Sequence, residues 1–253
     1  MRELSARSVI ASTLLGTVPP RLPARLLVAF ASEFDIHPGA TRTALSRMVD
    51  RGELHRLNGA DYELAGELLE RHRRQEAGLH ATTHPWDGTW EMYVVPPSAR
   101  SSGERAALRR AAGHLHVWER RDGVWMRPAN LAADRLPAAR TVLATQTEAY
   151  IVSPSEDPRP LLAELFDLNG WAGRANDLIA ELEESGPTLA GDLAGGFVLA
   201  AAALRHLVSD PLLPDELAPD QWPAGPFRSA YAAFVATYQA GLREFFRARL
   251  ASG

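Results

Sequence analysis

Apolar residues recur at helical spacing in three segments near the start of the chain. The clearest is the second, where Leu26, Leu27, Phe30 and Phe34 share one helical face. Ser5 is suited to cap the first segment, and Pro23 suits the first turn of the second. The pattern therefore predicts helices over residues 6–15, 24–34 and 40–51, with the last two joined by a short connection at 35–39.

The pattern then changes from helical spacing to strand alternation. Residues 54–57 and 62–64 flank Asn58-Gly59, a dipeptide typical of tight hairpin turns. Three helices followed by a two-stranded hairpin is the order of a winged helix-turn-helix. A polar helix over 66–78 follows, and its run Arg71-His72-Arg73-Arg74 favours a solvated face over a site.

Residues 86–153 alternate strands and helices differently. Strands are predicted at 90–95, 115–119, 124–127 and 148–152, with helices at 102–112 and 133–144. The second and third strands flank Arg120-Arg121-Asp122-Gly123 as a hairpin. The order β-α-β-β-α-β is that of a split βαβ, ferredoxin-like domain.

Everything after Pro158 is predicted to be helical, at about 160–168, 171–184, 191–208 and 227–250. The last helix carries an aromatic stripe from Phe227 to Phe245, which is typical of a core or a dimer face. We therefore expect an α+β protein with three consecutive domains. These are a winged helix-turn-helix with its linker helix at 1–80, a ferredoxin-like domain at 81–155 and an all-helical domain at 156–253.

Composition removes several chemistries. The 253 residues include no cysteine, and all 27 basic residues are arginine, so disulfides, thiolate catalysis, Schiff bases and a P-loop lysine are excluded. The longest apolar run, Leu193 to Leu204, has 12 residues, fewer than the ~20 that span a bilayer. We expect a cytoplasmic protein with no membrane partner. Residues 1–60 carry a net charge of +3 and residues 151–253 carry −7, which indicates different partners for the two ends.

The third predicted helix divides into two faces. Ala44, Leu45, Met48 and Val49 lie on one arc, and polar residues and arginines lie on the opposite arc. A recognition helix needs this division, because one face packs on its domain while the other meets base edges. An ordinary amphipathic surface helix shows the same pattern, and the preceding helix and following hairpin favour the DNA-binding interpretation. The candidate DNA-binding residues are Arg42, Thr43, Ser46, Arg47, Arg51 and, on the wing, Arg56.

Several motifs, in order along nearly the whole chain, resemble the PaaX-like transcriptional regulators, typified by the repressor of phenylacetic acid degradation. They are Ser5-Ala6-Arg7-Ser8, residues 44–49 (ALSRMV), 69–71 (LER), 73–75 (RRQ), 86–90 (WDGTW), 123–131 (GVWMRPANL), 210–214 (DPLLP) and Trp222-Pro223. The resemblance implies a winged helix, a ferredoxin-like middle domain and a helical C-terminal domain. It also implies a repressor that an acyl-coenzyme A, such as phenylacetyl-coenzyme A, releases from DNA. Thr41 and Thr43 depart from the apolar or branched residues typical of this family's helix.

The main alternative is an enzyme. The middle domain also resembles, in strand order, small ferredoxin-like metal-dependent nucleases that hold metal with an aspartate just after the first strand. Here that strand ends Val94-Val95-Pro96, without a carboxylate. His114 and His116 would share one strand face, and His80 and His84 have helical ligand spacing, but neither pair has an evident third ligand. We expect no enzyme activity, no metal and no cofactor.

The remaining expectations concern partners. One winged helix spans too few base pairs for genomic specificity, so we expect a homodimer on double-stranded DNA with a pseudo-palindromic operator. An acyl-coenzyme A effector carries several negative charges and an apolar group, so it needs an arginine cluster and an apolar pocket. The candidate effector-binding residues are Arg109, Arg110, Arg120, Arg121, Arg127, Trp171 and Phe197.

Overall fold

The structure, a computed structural model, describes residues 4–17, 19–57, 60–80, 82–97, 100–155, 157–186 and 192–251. It mixes helix with two small antiparallel sheets, consistent with the α+β class. The helices are α1 (Ala6–Leu15), α2 (Ala24–Ser32), α3 (Pro38–Asp50), α4 (Gly66–Leu79), α5 (Ser102–His114), α6 (Pro137–Gln146), α7 (Pro158–Leu165), α8 (Leu168–Ser185), α9 (Leu193–Val208) and α10 (Ala224–Ala251). The strands are β1 (Arg21–Pro23), β2 (Leu54–Arg56), β3 (Asp61–Leu64), β4 (Trp90–Val94), β5 (Trp118–Arg121), β6 (Val124–Pro128) and β7 (Glu148–Val152).

The chain divides into two compact units. The first comprises Met1–Glu76, Ile179–Arg205 and Ser229–Gly253, and the second comprises Ala77–Leu178 and His206–Arg228. In the described part of the chain, no helix is both long and apolar enough to cross a bilayer.

In the first unit, helices α1 to α3 pack around a three-stranded sheet of order β1-β3-β2. Helix α1 has its predicted bounds, since Ser5 Oγ accepts a hydrogen bond from Ser8 N at 3.2 Å and Gly16 ends the helix. Helix α2 ends at Ser32 rather than residue 34, and α3 spans Pro38–Asp50 rather than 40–51. Leu14, Leu27, Leu45, Leu54 and Leu64 form the core, all at most 1% exposed. The strand β1 was not predicted from the sequence. Its three residues are too few to show alternation, and it forms because β3 offers a free edge, pairing Leu22 with Tyr62. The predicted turn residues Asn58 and Gly59 lie outside the described residues.

In the second unit, β4–β7 form an antiparallel sheet of order β5-β6-β4-β7, with the predicted element sequence β-α-β-β-α-β. Alternate residues of β4 face opposite sides, as a strand requires. Tyr93 packs in the core of α5 and α6, whereas Trp90 packs with Leu162 and Leu165 of α7. Both faces of the central strand β4 are therefore covered, whereas most residues of the outer strands β5 and β7 are exposed.

The predicted starts of β5 and α6 in this unit are wrong. The strand β5 begins at Trp118 rather than Leu115, because residues 115–117 complete the turn that ends α5. Val117 N donates to Ala112 O at 2.9 Å and His116 has a left-handed φ of 54°, so this segment cannot extend. Helix α6 begins at Pro137 rather than residue 133, since proline suits the first helical position.

The C-terminal helices are not grouped as the sequence suggested. Residues 179–205 and 229–253 belong to the unit of the N-terminal helices rather than to a separate domain. Aromatic packing accounts for this, because the ring of Phe30 lies 5.7 Å from that of Phe197 and 6.1 Å from that of Phe245, edge to face. Contacts between residues so distant in sequence leave no local signal.

The aromatic stripe of α10 is core. Its members from residue 227 to 242 are at most 7% exposed within the single chain: Phe227, Tyr231, Phe234, Tyr238 and Leu242. The stripe therefore offers no exposed aromatic face for a second copy.

Candidate nucleic-acid interface

Helix α3 is held at both ends by local backbone chemistry. Pro38 occupies its first turn, and His37 Nδ1 accepts a hydrogen bond from Gly39 N at 3.1 Å. At the other end, Arg51 N donates to Arg47 O at 3.1 Å, and Gly52 turns the chain with a φ of +68° that favours glycine. The helix is thus a defined rod of 13 residues that leads directly into β2.

The two faces of α3 are divided as its sequence pattern predicts. Leu45 and Met48 are 1% exposed and pack in the core of the first unit. Thr41 is also fully buried, so this departure from the family pattern lies on the core side and not on the outer face. The predicted contact residues on α3 are all exposed: Arg42, Thr43, Ser46 and Arg47. The Thr43 hydroxyl donates to Gly39 O at 2.9 Å and keeps its lone pairs as acceptors.

Arg51 and Arg56 continue this surface beyond the helix. Both residues are exposed. Arg51 is the C-cap residue of α3, and Arg56 lies on β2 opposite Tyr62 of β3. Among the described residues, no carboxylate pairs with Arg42, Arg47, Arg51 or Arg56. Four unpaired guanidinium groups on α3, at its C-cap and on β2 give a positive surface suited to phosphates and base edges.

One ion pair that the sequence did not predict joins α1 to the turn between α3 and β2. Arg7 of α1 donates from Nε and Nη2 to the two carboxylate oxygens of Glu53, both at 2.9 Å. The hydrogen bonds to Glu53 raise the pKa of Arg7. It fixes the residues between α3 and β2 against α1. Forty-six residues separate the partners, and nothing local in the sequence links them.

The predicted effector-binding arginines are dispersed. Arg109 and Arg110 are exposed on α5, and Arg120 and Arg121 are exposed on β5. Arg120 Nε lies 3.7 Å from a carboxylate oxygen of Glu164, and both residues line an open pocket of about 320 Å³. Leu161 and three prolines also line this pocket, so one part of it is apolar.

Arg127 does not belong to a surface cluster. It is fully buried, and its guanidinium donates to Leu115 O at 2.7 Å, Pro128 O at 2.9 Å and Asn130 Oδ1 at 2.7 Å. Burial lowers the pKa of Arg127 to about 9. Its donors are committed to the protein, so the expectation that Arg127 contacts an effector is withdrawn. The sequence of residues 125–130, WMRPAN, does not indicate that Arg127 is buried.

The two predicted acyl-contact residues lie in different units. Phe197 is buried against Phe30 and Phe34 in the first unit. Trp171, in the second, is stacked between His206 at 4.9 Å and Trp222 at 4.8 Å between ring centroids. Both faces of the Trp171 ring are therefore covered by protein, and neither residue presents an open aromatic face.

The histidines do not form the arrangements that a metal site would need. His114 ends α5 and His116 follows it in a turn, so the two do not share a strand face. Burial holds the pKa of His116 well below its ordinary value, and Arg127 acts in the same direction. Within the described residues, no three histidine or acidic side chains are grouped to hold a metal ion.

Comparison with known proteins adds to this geometry. The family described as PaaX-like protein matches residues 5–68, which contain α1 to α3 and the hairpin. Among solved structures, the chain is similar to the uncharacterized protein Rv0674 from Mycobacterium tuberculosis, with 36% sequence identity and a TM-score of 0.73. That match covers 95% of this chain and 98% of the other. No curated protein matches the chain.

Proposed function

Because the chain belongs to the PaaX-like protein family, we propose that it is a DNA-binding transcription regulator that responds to a small ligand. In this proposal α1–α3 with β1–β3 form a winged helix-turn-helix, and β4–β7 with α5 and α6 form a ferredoxin-like domain. The regulator acts in the cytoplasm as a repressor of an aromatic-acid catabolic operon of the phenylacetate type.

The observation that carries the proposal is the outer face of α3. Its polar and cationic residues are accessible there while Leu45 and Met48 on the opposite face are buried. An α-helix fits the major groove of B-DNA, and arginine binds guanine O6 and N7 with two hydrogen bonds. We assign base contacts to Arg42 and Arg47, further base or phosphate contacts to Thr43 and Ser46, and phosphate contacts to Arg51 and Arg56.

A randomised duplex library supplies the test, since selection from it identifies the preferred binding site directly. Fluorescence anisotropy at one fixed salt concentration then measures affinity for that site. Arg42→Ala and Arg47→Ala should each cost about 1–3 kcal/mol of binding and relax the base preference. Arg243→Ala, exposed on α10, is the matched control and should bind as wild type does. Wild-type affinity and preference in both α3 variants would contradict the assignment.

We further propose a homodimer that binds a pseudo-palindromic operator, because two half-sites supply the specificity that one helix lacks. With the α10 stripe buried, the outer strands β5 and β7 of the four-stranded sheet are the candidate contacts. Light scattering at micromolar concentration, with and without the selected duplex, measures the mass. A value near the 27.6 kDa of one chain in both conditions would rule out the dimer.

The proposed effector is an acyl-coenzyme A, with phenylacetyl-coenzyme A as the first compound to test. Support comes from the exposed Arg109, Arg110 and Arg121, and from Arg120 in its partly apolar pocket. If the ligand releases the operator, ligand and DNA must weaken each other by the same factor at equilibrium. Titration calorimetry on the full chain, with and without the operator, measures both factors. An operator affinity that saturating ligand leaves unchanged would contradict an effector role.

A further inference from the structure

Helix α5 of the second unit carries three exposed arginines on one side. At about 3.6 residues per turn, Arg105, Arg109 and Arg110 fall within an arc of about 140°, and all three are exposed. Arg105 and Arg109 are four positions apart and are therefore neighbours on the helix surface. Leu108 lies on the opposite side, in the core that α5 shares with α6. We refer to the three arginines as the α5 arginine face.

The two helices on this side of the sheet supply almost no negative charge. The only acidic residue of α5 is Glu104, which lies on the side of Leu108, and its Oε2 accepts a hydrogen bond from Ser101 N at 2.7 Å. Helix α6 packs beside α5 and contains no acidic residue. The only charged residue of α6, Arg140, lies 3.6 Å from a carboxylate oxygen of Glu91.

Acidic residues of the neighbouring strands and loops leave the α5 arginine face unpaired. Glu119 of β5 pairs with Trp125, which pairs with Tyr93, so Glu119 lies on the side of the sheet that α5 covers. Its Oε1 accepts a hydrogen bond from Gly123 N at 3.1 Å. Within the described residues, no ion pair joins the α5 arginine face to Glu119, to Asp134 or to any other carboxylate. The outer side of α5 is therefore a positive surface without a counter-ion from the described chain.

The residues between the arginines favour one kind of partner. Ser102, Ala106 and Gly113 lie within the same arc, and an added Cβ at Gly113 would meet nothing within 4 Å. Protein interfaces are anchored by large apolar or aromatic side chains, and an acyl group needs an apolar pocket; these small residues supply neither. Protein–DNA interfaces are polar and rich in positive charge. The α5 surface therefore suits a nucleic-acid backbone better than a protein or an acyl ligand.

We propose that the α5 arginine face is a second DNA-contact surface, which binds backbone phosphates without reading bases. From Arg105 to Arg110 the face spans about 7.5 Å of helix axis, and one DNA strand presents a phosphate about every 3.4 Å of duplex axis. The face thus matches about two phosphates, and each guanidinium offers a planar fork of donors to phosphate oxygens. The choice of DNA rests on the proposed function, whereas the unpaired positive surface does not.

The salt dependence of DNA binding by the full chain tests this surface. Affinity is measured by fluorescence anisotropy over a range of salt concentrations, on a long duplex that contains the selected site and on an unrelated duplex of equal length. The double variant Arg105→Gln/Arg109→Gln should lower the slope of log affinity against log salt by about two on both duplexes, because each lost phosphate contact lowers it by about 0.9. The base preference in the library selection should stay that of wild type.

Two further variants serve as controls. Arg159→Gln changes an exposed arginine on α7, which packs on the opposite face of the sheet and pairs with Asp157 at 3.6 Å, and its slope should match wild type. Arg105→Lys/Arg109→Lys keeps both charges and should retain the slope, since the slope counts neutralised phosphates. Thermal unfolding midpoints within about 2 °C of wild type show that the variants are folded.

The outcomes separate this surface from the other proposed sites. A lower slope in the glutamine variant together with a retained slope in the lysine variant supports DNA contact. A wild-type slope in the glutamine variant, or an equal loss in both double variants, would overturn it. Loss of coenzyme A affinity in calorimetry with an unchanged slope would overturn it too, and would assign Arg109 to the proposed effector site. If Arg42→Ala kept the base preference while the glutamine variant lowered the slope, the α3 assignment would fail and the α5 surface would stand.

Discussion

The guanidinium of Arg127 donates from Nη2 to the side-chain oxygen of Asn130 at 2.7 Å, with both residues at most 1% exposed. Asn130 in turn donates from Nδ2 to Leu212 O at 3.0 Å. Strand β6, which carries Arg127, is thereby joined to the segment at Leu212, 82 positions after Asn130. We refer to the hydrogen bonds from Arg127 through Asn130 to Leu212 as the relay. Burying a polar group costs free energy unless it is hydrogen-bonded, so the relay favours one arrangement of the second unit.

Removal of Arg127 should destabilise the second unit strongly. Arg127→Ala leaves the carbonyl of Leu115 and the side-chain oxygen of Asn130 without this donor, and it opens a cavity. The carbonyl of Pro128 loses one of its two donors and keeps Asn130 N. We expect a loss of about 3 kcal/mol in the free energy of unfolding, measured by urea denaturation with a probe in that unit. Arg109→Ala, exposed on α5, should stay within about 0.5 kcal/mol of wild type. A cost below about 1 kcal/mol for Arg127→Ala would show that the relay is dispensable.

His116 should make stability depend on pH below neutrality. Burial lowers the pKa of His116 in the folded chain, while the unfolded chain titrates near the ordinary value of about 6.5. Below that pH the unfolded state binds the extra proton, so stability falls as the pH falls from about 6.5 towards the folded pKa. The contribution is at most about 1.4 kcal/mol per pH unit.

The variant His116→Asn tests this, since asparagine tolerates the left-handed φ of 54° at this position. Unfolding midpoints between pH 5 and 7.5 should depend less on pH in the variant than in wild type, whatever its absolute stability. The same substitution at His55, exposed on β2, is the control. Equal pH dependence in His116→Asn and wild type would contradict the prediction.

Two glycines should respond oppositely to alanine. At Gly66, which has a φ of +51°, an added Cβ would lie 2.6 Å from the carbonyl oxygen of Gly52. Gly66→Ala should therefore destabilise by about 1–3 kcal/mol. At Gly113, within α5, a Cβ meets nothing within 4 Å, and Gly113→Ala should stabilise by about 0.5 kcal/mol through helix propensity. Circular dichroism melts of the two variants provide the comparison, and shifts of the same sign would refute the contrast.

Arg56 should affect DNA binding differently from the arginines of α3. In the proposed winged helix, its exposed place on β2 suits phosphate contact, so Arg56→Ala should weaken binding to all sequences alike. We expect the slope of log affinity against log salt to fall by about one, with the base preference of the wild type retained. A changed base preference in the same library selection would instead assign Arg56 to base readout.

The part of the first unit that we propose to bind DNA follows closely from the sequence. The bounds of α1, the cap at Ser5, the two faces of α3 and the exposure of Arg42 and Arg47 depend on residues within a few positions of each other. Periodicity and capping are local properties, and for that reason the alternation of buried and exposed positions predicted them.

Tertiary structure decided what distant residues do together. The sequence made Arg127 a candidate effector contact, whereas in the folded chain it is buried and donates to the carbonyl of Leu115, 12 positions earlier in the turn after α5. Phe197 joins Phe30 across 167 positions and thereby places C-terminal helices with the N-terminal ones. Burial, pairing and charge proximity depend on distance in space, which periodicity along the chain does not encode.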